Sequence, residues 1–273
     1  MTEETVLHHK ARFERPAEYP ERFPVPDRFV GWENDYPDYA PPYYVSPAVL
    51  LNDASRNPGG WADPEDLSLS YGSPEESFAG RLRHDDKGRA LNPFGRTGIA
   101  GRGLLGKWGP NYAADPVITC IDPGDNSVKL LAVQRKDNGQ WAIPGGMVDK
   151  GEEISRTLTR ELLEETGVAL DMNRGRLVYQ GYVDDPRNTD HAWMETTAKH
   201  LHLDLETARR LDLKAGSDAR AVRWFALTPE NICKLYASHS SLVKAALVGL
   251  ARGAQAGITE SERECVERLL QSL

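Results

Sequence analysis

The sequence predicts an α/β fold, a mixed sheet held between helices, preceded by an irregular domain of different texture. Three observations predict it. Short β-rich runs recur after residue 115. One amphipathic helix stands among them at 154–166, with glycines before it and a glycine after it. The first 114 residues hold most of the 18 prolines and are dense in aromatics, as in Tyr36-Pro37-Asp38-Tyr39-Ala40-Pro41-Pro42-Tyr43-Tyr44, with little helical or strand periodicity.

Disordered tracts are poor in aromatics, so residues 1–114 are read as a packed domain of short strands and turns. From 115 the pattern tightens. Runs at 117–121 and 128–134 are strands, joined by the turn Asp122-Pro123-Gly124-Asp125-Asn126. A second turn, Asp137-Asn138-Gly139, leads into 141–143. After the helix, 177–183, 193–203 and 221–225 are strands, and 242–250 and 261–270 are amphipathic helices. The expected domains are therefore 1–114, a catalytic domain over 115–250, and a helical extension over 251–273.

Residues 154–166 carry the chemistry. Ile154, Leu158 and Leu162 follow i, i+4, i+8 and make a narrow apolar stripe. Glu161, Glu164 and Glu165 stand at i, i+3, i+4, so they share an arc of roughly 100°. Like charges at that spacing destabilise a helix, and two of these lie in the last turn, where the macrodipole favours cations. A cation relieves both conflicts. Oxygen-only donors select a hard ion, Mg²⁺ or Mn²⁺, over zinc. Arg160, one turn before Glu164, is placed to steer a carboxylate or to pair with Glu152 across the entry loop. A solvated acidic face is the alternative for a bare Leu-Leu-Glu-Glu run; the glycines, Glu152 and Arg160 at their spacings argue against it.

A chain of 273 residues is long for one small catalytic domain. Its net charge of −8 argues against a nucleic-acid scaffold. It leaves room for a phosphate substrate wherever a metal and local arginines invert the field. Cys120, Cys233 and Cys265 are scattered, without metal-ligand spacing, which fits a reducing compartment. No apolar run approaches membrane-spanning length. The charged start, 1–20, lacks a secretory core and an acid-poor transit character, so the cytoplasm is the default location.

Three segments outside the helix stand out. Residues 95–112 combine many glycines with Arg96, Arg102 and Lys107. Two readings stay open for them, a backbone that anions can approach or a glycine-rich linker with solvated charges. In the polar loop 181–194, Asp185 is suited to accept from a ribose hydroxyl or adenine amine, and Arg187 to fork a phosphate. His191 there reads as a surface residue rather than a base. In 235–240, Tyr236 offers a stacking face and Ser238 or His239 hydrogen bonds, although a helix start near Ser240 accounts for the serines equally well.

The pattern Gly146, Glu152, Arg160-Glu161-Leu162, Glu164-Glu165, Gly167-Val168 resembles the Nudix box at every defined position. That resemblance implies an α/β/α sandwich, a divalent metal on Glu161, Glu164 and Glu165, and hydrolysis of a nucleoside diphosphate linked to another moiety. The strings Gly-Arg-Gly-Leu-Leu-Gly-Lys-Trp-Gly-Pro-Asn, Trp-Ala-Ile-Pro-Gly-Gly-Met-Val-Asp, Gly-Tyr-Val-Asp-Asp-Pro-Arg-Asn-Thr-Asp and Leu-Tyr-Ala-Ser-His narrow it. They are similar to the animal mitochondrial type of ADP-ribose pyrophosphatase and to the cytosolic tail of an ADP-ribose-gated melastatin-class channel. The likeness covers about 23–247. It implies an N-terminal domain closing over a Nudix core and ADP-ribose as the small-molecule partner. Leu105, Asp185, Arg187, Tyr236, Ser238 and His239 match its nucleotide and ribose contacts. An ADP-ribose sensor with vestigial hydrolysis is the competing class. Such a sensor tolerates loss of Arg-Glu or Glu-Glu, and here both are intact. NADH, sugar nucleotides and dinucleoside polyphosphates are the competing substrates. The general base is open between a glutamate of the box and an aspartate in 184–190. The start and the 251–273 extension inherit no role.

Overall fold

The computed structural model describes residues 8–69, 72–149, 151–216, 219–253 and 258–273. The chain divides into two compact units. The first takes the residues up to Asn111 together with Gly181–Glu195, and the second takes Tyr112–Gln180 with Thr196–Leu273.

The first unit is irregular for a reason visible in its side chains. Its regular elements are short: strand Tyr43–Val45 pairs in parallel with Ala100–Gly103, and Arg83–His84 pairs antiparallel with Ala90–Leu91. Aromatics do the packing that long elements do elsewhere. Phe29 stacks on Tyr36 at 4.3 Å, and Phe23 meets Tyr39 edge-on at 5.3 Å. Leu82, Ala90, Tyr182 and Trp193 form a small buried core with Phe94 packed against it. Such ring pairs are worth about 0.5–1.5 kcal/mol each beyond the area they bury.

A seven-stranded mixed sheet is built from β1 (Gly109–Asp122), β2 (Ser127–Arg135), β3 (Trp141–Ala142), β4 (Gly146–Met147), β5 (Arg176–Val183), β6 (Ala192–Leu203) and β7 (Ala219–Ala226). Its order is β5-β6-β1-β2-β7, with β4 on β1 and β3 on β2. The β1–β2 hairpin closes at Asp122 and Ser127, where the turn residues predict it. Helices α1 (Ile154–Thr166), α2 (His239–Ala251) and α3 (Glu260–Gln271) cover the two faces in the second unit.

Alternation along the strands sorts those faces. Ala114, Ile118 and Cys120 of β1 join Leu158 and Leu162 of α1, whereas Val117 and Ile121 join Leu242, Val243, Ala246 and Leu247 of α2. Each fully buried leucine contributes about 1.5–3 kcal/mol. Of the extension, α3 packs on the chain's own core through Cys265 and Val266. Thr259 and Glu262 form a capping box at its start. No described helix is long and apolar enough to cross a membrane.

Candidate functional site

In the second unit, α1 has the bounds that its stripe predicts. Leu158 and Leu162 are fully buried, and Gly167 ends the helix in the left-handed region at φ 73°, its N–H donating to the Leu163 carbonyl. The face so fixed presents Arg160, Glu161 and Glu164.

Arg160 binds three carboxylates at once. Its Nη2 lies 2.9 Å from Glu152 Oε2, and its Nη1 lies 2.7 Å from Glu161 Oε1 and 3.2 Å from Glu164 Oε2. Glu152 also accepts from the Thr157 hydroxyl at 2.8 Å. The Arg160 hydrogen bonds lower the Glu152 carboxyl to a pKa of about 2, and the same bonds raise the guanidinium further. Glu161 is different. Burial pushes its pKa up against the pull of Arg160. Its carboxylate lies so close to the backbone of Gly146 that a Cβ there would collide with it. Glycine at the box entry is therefore a matter of close approach. Glu165 accepts the Gly145 N–H at 3.1 Å.

The donor set suits a hard divalent ion: carboxylate oxygens, those of Glu161 buried. Among the described residues no three His, Cys, Asp or Glu side chains converge as a finished cage. One guanidinium balances the charge that a cation would balance. Asp115 of β1, buried beside Gly145, accepts from the Thr196 hydroxyl and adds a carboxylate for which the sequence carried no signal.

Residues 236–239 lie beside the strand that leads to the box. The Tyr236 N–H donates to the Trp141 carbonyl at 2.9 Å, and His239 Nδ1 accepts the Ile143 N–H at 2.9 Å. Tyr236 carries the Arg135 guanidinium 4.2 Å from its ring centre and meets His239 edge-on. Ser238 is the N-cap residue of α2, without a side-chain capping bond.

In the first unit, Asp185 and Arg187 engage each other. Asp185 is buried and accepts from Arg187 Nε and Nη2, both at 2.8 Å. Leu105 is buried, with its amide donating to the Arg102 carbonyl.

Two sequence readings need correction here. His191 is buried rather than a surface residue, because its Nδ1 accepts the Gly101 N–H at 3.0 Å. Arg96 and Arg102 are buried, neither solvated nor arranged as an anion cradle, whereas Lys107 is half-buried and paired with Asp63. Arg96 donates to the Phe29 and Gly31 carbonyls, Arg102 to the Asp63 and Gly106 carbonyls and to Glu65, and Lys107 to Asp63. Irregular backbone leaves carbonyls without ladder partners, and these side chains supply the missing donors.

Two family models match the chain: a NUDT9-like N-terminal domain over residues 25–109 and a NUDIX domain over residues 114–243. The chain is 43% identical to "Putative nudix hydrolase 6" of Caenorhabditis elegans, covering 81% of this chain and 88% of that protein. It is 41% identical to a mitochondrial ADP-ribose pyrophosphatase of Rattus norvegicus, covering 87% of this chain and 77% of that one. It is 40% identical to a transient receptor potential channel subfamily M member-like 2 of Nematostella vectensis, covering 88% of this chain but 18% of the channel.

Proposed function

The chain belongs to the Nudix hydrolase family, and from that premise we propose that it hydrolyses the diphosphate of ADP-ribose to AMP and ribose 5-phosphate. The box carries the hydrolase reading, and the likeness outside it, with 41% identity to a mitochondrial ADP-ribose pyrophosphatase, supports ADP-ribose as the substrate. Arg160 holds Glu152, Glu161 and Glu164 together, with Glu161 buried against Gly146. A sensor tolerates loss of Arg-Glu or Glu-Glu, and here both are intact.

The family works with a divalent metal, and in this chain we assign Mg²⁺, with Mn²⁺ served by the same donors. Glu161, Glu164 and Glu165 would hold it. When bound, the metal neutralises the diphosphate and stabilises charge on the leaving group. Arg160, anchored by Glu152, sets the direction of the Glu161 and Glu164 carboxylates. A water attacks a diphosphate phosphorus, the bridging P–O bond breaks, and a carboxylate takes the water's proton. Tyr236 and His239 are assigned to the nucleotide, with Ser238 beside them. Leu105, Asp185 and Arg187 of the first unit are assigned as further contacts. Three free thiols fit a reducing compartment, and we place the chain in the cytoplasm.

The test is AMP release from ADP-ribose with Mg²⁺, run beside NADH and a sugar nucleotide. AMP from ADP-ribose alone supports enzyme and substrate together. No turnover, but thermal stabilisation by ADP-ribose, replaces the enzyme with a sensor.

A further inference from the structure

Residues 8–24 precede both matched regions. We propose that Tyr19 of this segment is a positioning residue. Its hydroxyl pins the Gly103–Leu105 turn to the Asp185–Arg187 loop, and so sets where two of the ADP-ribose contacts assigned above are presented. The role rests on that functional reading.

Tyr19 is 2% exposed. Its hydroxyl donates to the Arg187 carbonyl at 2.6 Å and accepts the Leu104 N–H at 2.9 Å. The donor and an acceptor site of one phenol are thus spent on two backbone segments far apart in sequence. The turn is shaped to admit it: Gly103 sits at φ 60°, and a Cβ there would occupy the place of the hydroxyl.

Neighbouring side chains hold the same loop. Arg22, its guanidinium 5.7 Å from the Tyr19 ring centre, donates to the carbonyls of Pro186 at 2.6 Å and Asn188 at 3.3 Å. The Asp184 carboxylate accepts the Lys10 and Ala11 N–H groups, each at 2.9 Å. Residues 184–188 are therefore fastened on the backbone, which leaves the Arg187 side chain to aim from a fixed base. A loop ordered before binding loses less freedom when ligand arrives, and the saving appears in affinity.

Tyr19→Phe keeps the ring and removes the pin. It leaves the Leu104 N–H and the Arg187 carbonyl without that partner in a partly buried place. The expected result is a KM for ADP-ribose raised about tenfold, the worth of about one well-made hydrogen bond, with kcat within about twofold. Amide hydrogen exchange should rise in 101–106 and 184–191 beyond the rest of the chain. Ser73→Ala, which removes the acceptor of the Ala90 N–H elsewhere in the same unit, should leave KM unchanged. Arg22→Ala should raise KM in the same direction as Tyr19→Phe. An unchanged KM, or a KM raised equally by Ser73→Ala, overturns the positioning role. Should the wild-type chain turn over no ADP-ribose, the functional reading fails. The exchange comparison then still decides the pin, with unchanged protection in both segments overturning it.

Discussion

The Arg160 guanidinium straddles Glu152, with Nη2 at 2.9 Å from Oε2 and Nε at 3.2 Å from Oε1. That pairing leaves Nη1 for Glu161 and Glu164. Replacing Glu152 by glutamine keeps the shape and removes the charge that anchors the guanidinium. We expect kcat to fall by about 10–100-fold, the usual cost of a group that orients metal ligands, with the fold retained. Unchanged kcat with reduced stability would make Glu152 a purely structural anchor.

Glu164→Gln combined with Glu165→Gln should abolish turnover and leave thermal stability equal or higher. Like charges at i, i+3, i+4 repel, and the macrodipole disfavours them in the last turn, so neutralising two removes a conflict. The glutamine carbonyl can still accept the Gly145 N–H that Glu165 accepts now. Substantial residual hydrolysis in the double variant would sink the metal assignment.

This helix was legible in the sequence because its signals are local. The Leu158–Leu162 stripe, the Gly167 stop and the Glu152–Arg160 spacing need no knowledge of distant chain. The β1–β2 hairpin is legible for the same reason. What the sequence hides are contacts between distant segments. Nothing near Tyr19 indicates that its hydroxyl meets the Arg187 carbonyl, 168 residues away. Nothing in the charge of Arg102 tells whether it faces solvent or the Asp63 and Gly106 carbonyls. His191 misled for the opposite reason: a polar loop usually means exposure, and here the Gly101 N–H holds the ring inside.

Arg187→Ala should raise KM for ADP-ribose more than it lowers kcat, as loss of uniform phosphate binding does. It carries a second cost, because Asp185 is buried and loses its fork. The carboxylate keeps the backbone N–H of residue 187 on Oδ1 but loses its counter-charge, which should cost about 1–3 kcal/mol of stability. Adding Asp185→Asn to Arg187→Ala should restore much of the stability without restoring KM. If both recover together, the pair is structural and Arg187 does not bind substrate.

Acid should weaken the fold while the Glu152 carboxylate is still ionised. Burial, the largest cause in each case, lowers His8 and His200 to pKa values of about 3 and His191 to about 4, from the ordinary 6.5. A folded pKa below the unfolded one means that the unfolded chain takes up protons the folded chain refuses. The stability tied to these neutral rings is complete above pH 6.5 and is lost as pH falls through that value toward 4 and then 3. Each histidine contributes a slope of about 1.4 kcal/mol per pH unit inside the window. Denaturant titrations between pH 7.5 and 5 measure it before Glu152, whose carboxyl stays ionised down to about 2, takes part. His200→Gln should flatten the slope of the second unit by one histidine's share. Stability that is level from pH 7 to 5 would mean that these rings protonate without leaving their buried places.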